Sequence, residues 1–383
     1  KKRSRAPSKQ AAAFESRRKE WFTHMKKKLS MLVAAVLLVM SAAGCGENPV
    51  PSGTDSNTAN NSSVTEDASS ETPVKKDENL NPLTGEYNLK DRAVGKRPVS
   101  VMVNNIKKAW PQYGLSSADI CYEIVVEGGI TRIMAVFADY QSVPKIGSVR
   151  SVRHYFLDCS APLNTIFVHW GGSTPGYDAV KSRGINNIDG MSMSKVSFLR
   201  DNQLKKEKGQ EFSNFTNAEL IQKGIEKKKY NTSGTPNPGF QFDPTGQVTG
   251  SVAATDISVK FSGYVTADFD YDSVTGKYLK SEFGQKQIDK NNNQQIAVDN
   301  VFVLYADIHL YAGSNKWMDV EYNKGGSGYY ISKGTKTDFT WSKSGSNKPF
   351  QFKDASGADL KVNPGKSWFC IVSDEQKGNT TIK

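Results

Sequence analysis

The 383-residue chain contains no GxSxG, HExxH, CxxC or Walker A sequence. It therefore lacks the local signatures of α/β-hydrolases, zinc proteases, dithiol oxidoreductases and P-loop nucleotide hydrolases. Cysteine is scarce, with residues only at 45, 121, 159 and 370, and no two have metal-ligand spacing. Aromatic residues are absent from Gly46 to Glu78, where Asn, Ser, Thr, Pro, Asp and Glu dominate. Such a composition buries too little apolar surface to offset chain entropy, so this stretch is expected to be disordered. Arginine is absent after Arg200. No apolar run reaches the roughly 18 to 20 residues that a membrane-spanning helix needs.

What is present at the front reads as an export signal. Lys26, Lys27 and Lys28 precede an apolar stretch from Leu29 to Ala43, followed by Gly44 and Cys45. Small residues before a cysteine after a short apolar run fit a lipoprotein signal over residues 25–44, cleaved before Cys45, which is then lipidated. The alternative is an ordinary secretory signal cut near Ala43, leaving Cys45 as a thiol. Residues 1–24 read as an upstream extension, with an authentic basic cytoplasmic tail as the other possibility. Residues 45–78 form a tether with a reach of roughly 30 Å. The membrane, through lipidated Cys45, is thus the first expected partner, and the outer face of the cytoplasmic membrane the expected location.

The charge balance changes once the leader is set aside. The whole chain carries a net +11, but residues 1–28 hold 11 Lys and Arg against 2 Asp and Glu, leaving 39 against 37 beyond them. A nearly neutral mature chain gives no basis for nucleic-acid binding.

Beyond the tether the pattern predicts an α+β protein: an N-terminal mixed α/β sheet domain over 79–230, a linker over 231–250, and a mainly antiparallel β domain over 251–383. In the first, strands are expected at 98–104, 120–126, 130–140 and 165–170, with Glu127-Gly128-Gly129 closing a hairpin. Helices are expected at 151–159, at 175–182, and from a capping box at Thr216-Asn217-Ala218-Glu219 to about Lys229. The second domain reads as short alternating strands at 257–264, 267–271, 301–305, 317–322, 329–333, 336–341 and 368–373. Buried, unpaired cysteines are expected; if a disulfide forms, Cys121 with Cys159 is the pair within one domain.

The candidate chemistry lies in the first domain. All seven arginines of the mature chain are there, at 92, 97, 132, 150, 153, 183 and 200. Guanidinium groups present a planar fork that matches carboxylate or phosphate. Arg150 and Arg153 share a helical face if the helix begins that early, and with Arg132, Glu123 and Glu127 they would line a polar cleft; a structural salt-bridge network is the competing reading. His169 ends an apolar strand before Gly171-Gly172, a turn whose backbone N–H groups could receive an anion. A satisfied core histidine and a tight turn are the plainer readings. Acid and base partners could be drawn from Glu123, Glu127, Asp158 and Asp189. Asp289, Asn291 and Asn293 open like a calcium loop but lack its later Gly and Glu, and read as a polar turn. No metal or cofactor is expected.

The segments Arg97-Pro98-Val99-Ser100-Val101-Met102-Val103-Asn104-Asn105, Tyr122-Glu123, Glu127-Gly128-Gly129-Ile130-Thr131-Arg132, Ile146-Gly147-Ser148-Val149-Arg150-Ser151, Asp189-Gly190 and Pro364-Gly365-Lys366-Ser367-Trp368 occur in this order. Together they resemble the YerB-like lipoproteins of Gram-positive bacteria. The resemblance implies two domains of unknown function on a lipidated tether and carries no activity with it. After Arg200 the family's basic segment and Pro-His-Asn step give way to Glu211-Phe212-Ser213-Asn214, so no ligand role passes to that loop. The expected function is an envelope-anchored module binding an anionic or glycan wall component, or a partner protein, through Arg132, Arg150, Arg153 and the His169-Gly171-Gly172 turn, with Glu123 and Glu127 nearby. The alternatives are a hydrolase or transferase on wall polymers and a structural envelope assembly factor.

Overall fold

A computed structural model describes residues 79–383. The extension, signal peptide, tether and Cys45 lie outside the described residues. The first half contributes strands β1 (Val99–Asn105), β2 (Ile120–Val125) and β3 (Thr131–Phe137), then helix α1 (His154–Ser160), strand β4 (Ile166–His169), helix α2 (Thr174–Ser182), strand β5 (Asn187–Asp189) and helices α3 (Gly190–Ser197), α4 (Asn202–Lys208) and α5 (Ala218–Lys228). The second half contributes β6 (Asp256–Lys260), β7 (Thr266–Asp272), β8 (Lys277–Glu282), β9 (Asn300–Leu310), β10 (Met318–Glu321), β11 (Gly326–Ser332), β12 (Thr335–Ser342) and β13 (Ser367–Ser373).

One twelve-stranded sheet runs through both halves, and its central order is β12-β11-β9-β13-β2-β3-β1-β4-β5. The seam between the halves is β13, which pairs in parallel with β9 on one side and with β2 on the other. Strand alternation sends side chains of one sheet to two cores. Val99, Val101, Val103, Cys121, Ile133 and Trp368 face a layer made by β6 to β8, α3 and α5. Met102, Tyr122, Ile124, Met134 and Phe369 face α1, α2 and an aromatic cluster around Phe350 and Phe352. Because both faces are covered, the central strands read as almost unbroken apolar runs.

Most predicted elements are present within a residue or two, and the mixed sheet followed by antiparallel sheets matches the expected class. Several details differ. The first helix begins at His154, and Arg150 and Arg153 precede it in extended backbone, because Arg150 N–H is drawn to Met102 O and Val152 N–H to Gly171 O. The expected capping box does not form: Asn217, not Thr216, caps α5 by accepting from Leu220 N–H, while the Thr216 hydroxyl donates to Ser197 O. Cys121, Cys159 and Cys370 are free and buried, and Cys121 and Cys159 lie in different cores on opposite faces of the sheet, so they cannot pair. Asp289 is more than part of a polar turn. It is fully buried and accepts from Gly114 N–H, Ser116 N–H and the Ser116 hydroxyl, tying the second half of the chain to the first.

Candidate functional site

Strands β1 and β4 pair in parallel only over Val99 to Val101 and Ile166 to Val168, and beyond that point their carboxyl ends separate. The segment from Gly147 to Arg153 fills the gap. Asn104 N–H donates to Ser148 O at 2.9 Å and Arg150 N–H to Met102 O at 2.8 Å on the β1 side. On the β4 side Trp170 N–H donates to Arg150 O and Val152 N–H to Gly171 O, both at 3.0 Å. Val149 N–H donates to Asn214 O at 2.7 Å. Gly147 makes this entry possible: its φ is 137°, and a Cβ there would stand 2.8 Å from Val149 N and 2.9 Å from the Phe215 ring. Carboxyl ends of neighbouring parallel strands are where open α/β sheets commonly hold ligands.

The segment brings three guanidinium groups together. Arg132 stands opposite Asn104 in the β1–β3 ladder, so the two side chains share a face. Its Nη1 donates to Ser151 O at 2.8 Å. Burial first, and then the charges of Arg153 and Arg150, lower its pKa to about 9. Arg153 grips Glu127 with both arms, Nε to Oε1 at 2.5 Å and Nη2 to Oε2 at 2.6 Å. Burial alone would raise the Glu127 pKa, but the hydrogen bonds and charge of Arg153, aided by Arg132, hold it below the usual carboxylate range. Arg150 reaches Glu211 at 3.4 Å and keeps part of its side chain in solvent.

Five of the ten buried side-chain polar atoms that lack a partner among the described residues belong to this edge: Asn104 Nδ2, Arg132 Nε, Ser148 Oγ, Arg150 Nε and Asn214 Oδ1. An unmet buried polar atom costs on the order of 1–3 kcal/mol, so each of these calls for a partner, a water or a ligand. Trp170, whose N–H meets Arg150 O, is half-buried on the other face, against the core of Val101 and Val103, with the Arg200 guanidinium 5.5 Å from its ring centroid and Phe198 packed edge-on at 5.1 Å. Gly190 permits that position of the indole, since a Cβ there would meet Trp170 at 2.2 Å. Met191 is 66% exposed alongside.

The other expected site residues divide. His169 is fully buried. Its Nδ1 meets Gly171 O at 2.8 Å and its Nε2 meets the Asn187 amide at 2.8 Å, and burial lowers its pKa against the opposing pull of Asp189. It is a neutral, satisfied side chain that pins the turn. Asp189 completes that turn by accepting from Gly171 N–H, Met191 N–H and the Tyr177 hydroxyl. Gly171 and Gly172 edge the site, the latter against Val152 and Tyr177. Glu123 is not with the arginines, because it faces the opposite side of β2 from Ile124, the ladder partner of Arg132. There it meets Lys280 Nζ at 3.3 Å, and accepts from Trp368 Nε1 at 3.1 Å and from Asn105 and Thr131 at 2.8 Å.

Lys280 in turn bonds Glu282 Oε2 at 2.6 Å, and both are wholly buried. Burial, with Glu123 close by, raises the Glu282 pKa well above the ordinary carboxyl value. A second polar group lies between the halves: a cleft of about 380 Å³ lined by His154, Asp158, Arg183, Asp319, Tyr311 and others, in which His154 Nε2 meets Asp319 Oδ1 at 2.7 Å. Among the described residues no cluster of three His, Cys, Asp or Glu could hold a metal ion, and no helix is long and apolar enough to cross a membrane.

Sequence reasoning missed Asn104, Ser148, Trp170 and Asn214. The signal for the first was available, since Asn104-Asn105 ends a buried strand that is apolar apart from Ser100, where amides need a reason to be.

Residues 83–231 match the family described as protein of unknown function (DUF3048), N-terminal domain, and residues 257–369 its C-terminal domain. The chain is 31% identical over 296 residues to "Putative lipoprotein YerB" of Bacillus subtilis (strain 168), covering 76% of this chain and 86% of the relative. The crystal structure of YerB protein from Bacillus subtilis superposes with a TM-score of 0.71 at 28% identity, covering 80% of this chain and all of that one.

Proposed function

The chain belongs to the two-domain DUF3048 family, and from that premise we propose that it is a lipid-anchored envelope protein whose first half binds an anionic glycan of the wall. The lipoprotein name of its relative supports the anchor, and the Ala42-Ala43-Gly44-Cys45 sequence supplies the acceptor cysteine. The observation that carries the binding reading is the gathering of Asn104, Arg132, Ser148 and Arg150 polar atoms without protein partners, with the Trp170–Arg200 pair on the other face of the same sheet edge. Aromatic faces suit sugar rings, and guanidinium forks suit the carboxylate or phosphate attached to them. Arg153 moves from ligand contact to support, since Glu127 already occupies its fork.

The test is retention of the soluble chain on purified wall fragments. Changing Arg150 and Arg200 together to Ala should reduce retention at least tenfold with the melting temperature nearly unchanged; undiminished retention sinks the reading. The enzymatic alternative draws support from the His154–Asp319 pair in its cleft, and not from sealed His169. Release of soluble fragments in the same assay, lost with His154→Ala, would favour it.

A further inference from the structure

A separate hollow of about 460 Å³ opens where residues 107–111 meet residues 285–293, on ground that the arginine site does not touch. Its lining includes Lys107, Lys286 and Lys290, all exposed, and none of its lining residues is acidic. The floor is Trp110, held by its Nε1 donating to Asn105 Oδ1 at 3.1 Å and by an edge-on contact with Phe283 at 5.4 Å. Phe283 in turn packs against Tyr264, which is 49% exposed. The basic character extends past the rim. Lys208, at the end of α4, donates to Trp110 O at 2.7 Å, and Lys108 lies over the Phe212 ring at 5.1 Å. Asp289, the one acidic residue of the 285–293 loop, is turned inward and saturated by Gly114 and Ser116, so it does not neutralise the patch.

We propose that this hollow takes phosphate groups of anionic lipid headgroups, so that the tethered protein rests on the leaflet through it. Lysine ammonium groups are compact, mobile charges suited to phosphate without a fixed fork, and exposed Tyr264, joined to the Trp110 floor through Phe283, is of a residue type that favours the membrane–water boundary. The phosphate chemistry stands on the hollow itself. Its source in the leaflet rests on the lipoprotein reading, because a tether of roughly 30 Å reach keeps the folded part close to the lipid. The two sites would then divide the work, with the arginine edge reading the wall and the lysine hollow setting the height and tilt of the molecule.

The experiment uses residues 79–383, which contain both cores, sedimented with vesicles of phosphatidylglycerol or of phosphatidylcholine at low salt, with soluble polyphosphate as a third probe. Binding to the phosphatidylglycerol vesicles alone, lost in high salt, is the expected result. With roughly fivefold in affinity for each lysine near an anionic surface, changing Lys107, Lys286 and Lys290 together to Gln should weaken it by about a hundredfold. The same change at exposed Lys181, Lys227 and Lys333 should leave it within a few fold. Parent-like binding by the first triple variant overturns the proposal, as does equal binding to phosphatidylcholine. Binding of polyphosphate without binding of vesicles overturns the leaflet as the source. Wall retention through Arg150 and Arg200 is read separately and survives any of these failures.

Discussion

Strand β2 and the hairpin after it carry two glutamates four residues apart that end in opposite worlds. Glu123 lies in a dry network with Lys280, Glu282, Asn105 and Trp368, where each charge has its partner inside the protein. Glu127 lies at an edge where Arg153 is matched, yet Arg132 and Arg150 keep unmet N–H groups. The first arrangement is what a fold needs to seal two halves together. The second leaves hydrogen-bonding capacity unused, which a protein selected for stability alone would satisfy or replace with apolar atoms. Polar residues in this molecule therefore separate by completeness and not by burial.

That contrast can be broken most severely at Lys280. Changing it to Met leaves two carboxyl groups facing one another without a cation, and a loss of about 3–5 kcal/mol in denaturant unfolding is expected; a change under about 1 kcal/mol would mean that the seam does not depend on the network. Arg153→Ala should cost less, about 2–3 kcal/mol, because it strands Glu127, which water can still partly reach. If stability is unaffected, the Arg153 fork is free for a ligand after all and the division drawn above is wrong.

The smallest effect per unit of change is in the pH dependence. The folded protein holds the Glu282 proton to higher pH than an unfolded chain, where the ordinary value is 4.5. Its contribution is therefore complete below that value and lost as pH rises through the elevated folded one, at up to about 1.4 kcal/mol per pH unit. Glu282→Gln fixes the neutral form, so the variant should lose less stability than the parent between pH 5 and pH 8 in urea titrations. Parallel curves for the two proteins would place the shared proton elsewhere.

Much of the fold was legible because the strands near the seam are apolar on both faces and bounded by Gly, Pro and Asn. What escaped was polar residues placed where the pattern expects apolar ones. In β8 the inward positions are Tyr278, Lys280 and Glu282, so alternation was present but carried by charged groups, and the strand went unpredicted. The arginine edge was half legible. Arg132, Arg150 and Arg153 do converge, but which guanidinium is already occupied depends on the face of β2 to which each glutamate points, and on Glu211 arriving from 61 residues further along. At the end of an apolar strand His169 fits either a ligand contact or a satisfied core place, and the second holds because Asn187, on the neighbouring strand, takes its Nε2.

Strand β13 completes the seam from residues 367–373, long after β2 has been made. On the lipoprotein reading proposed above, a chain that crosses the membrane amino end first holds one side of β2 as a bare, apolar margin until residues 367–373 have followed, and bare margins recruit foreign strands. On that reading, maturation is a race between the protein's own closing strand and its neighbours, one that attachment at the amino end, by keeping copies apart on a surface, would help each molecule to win.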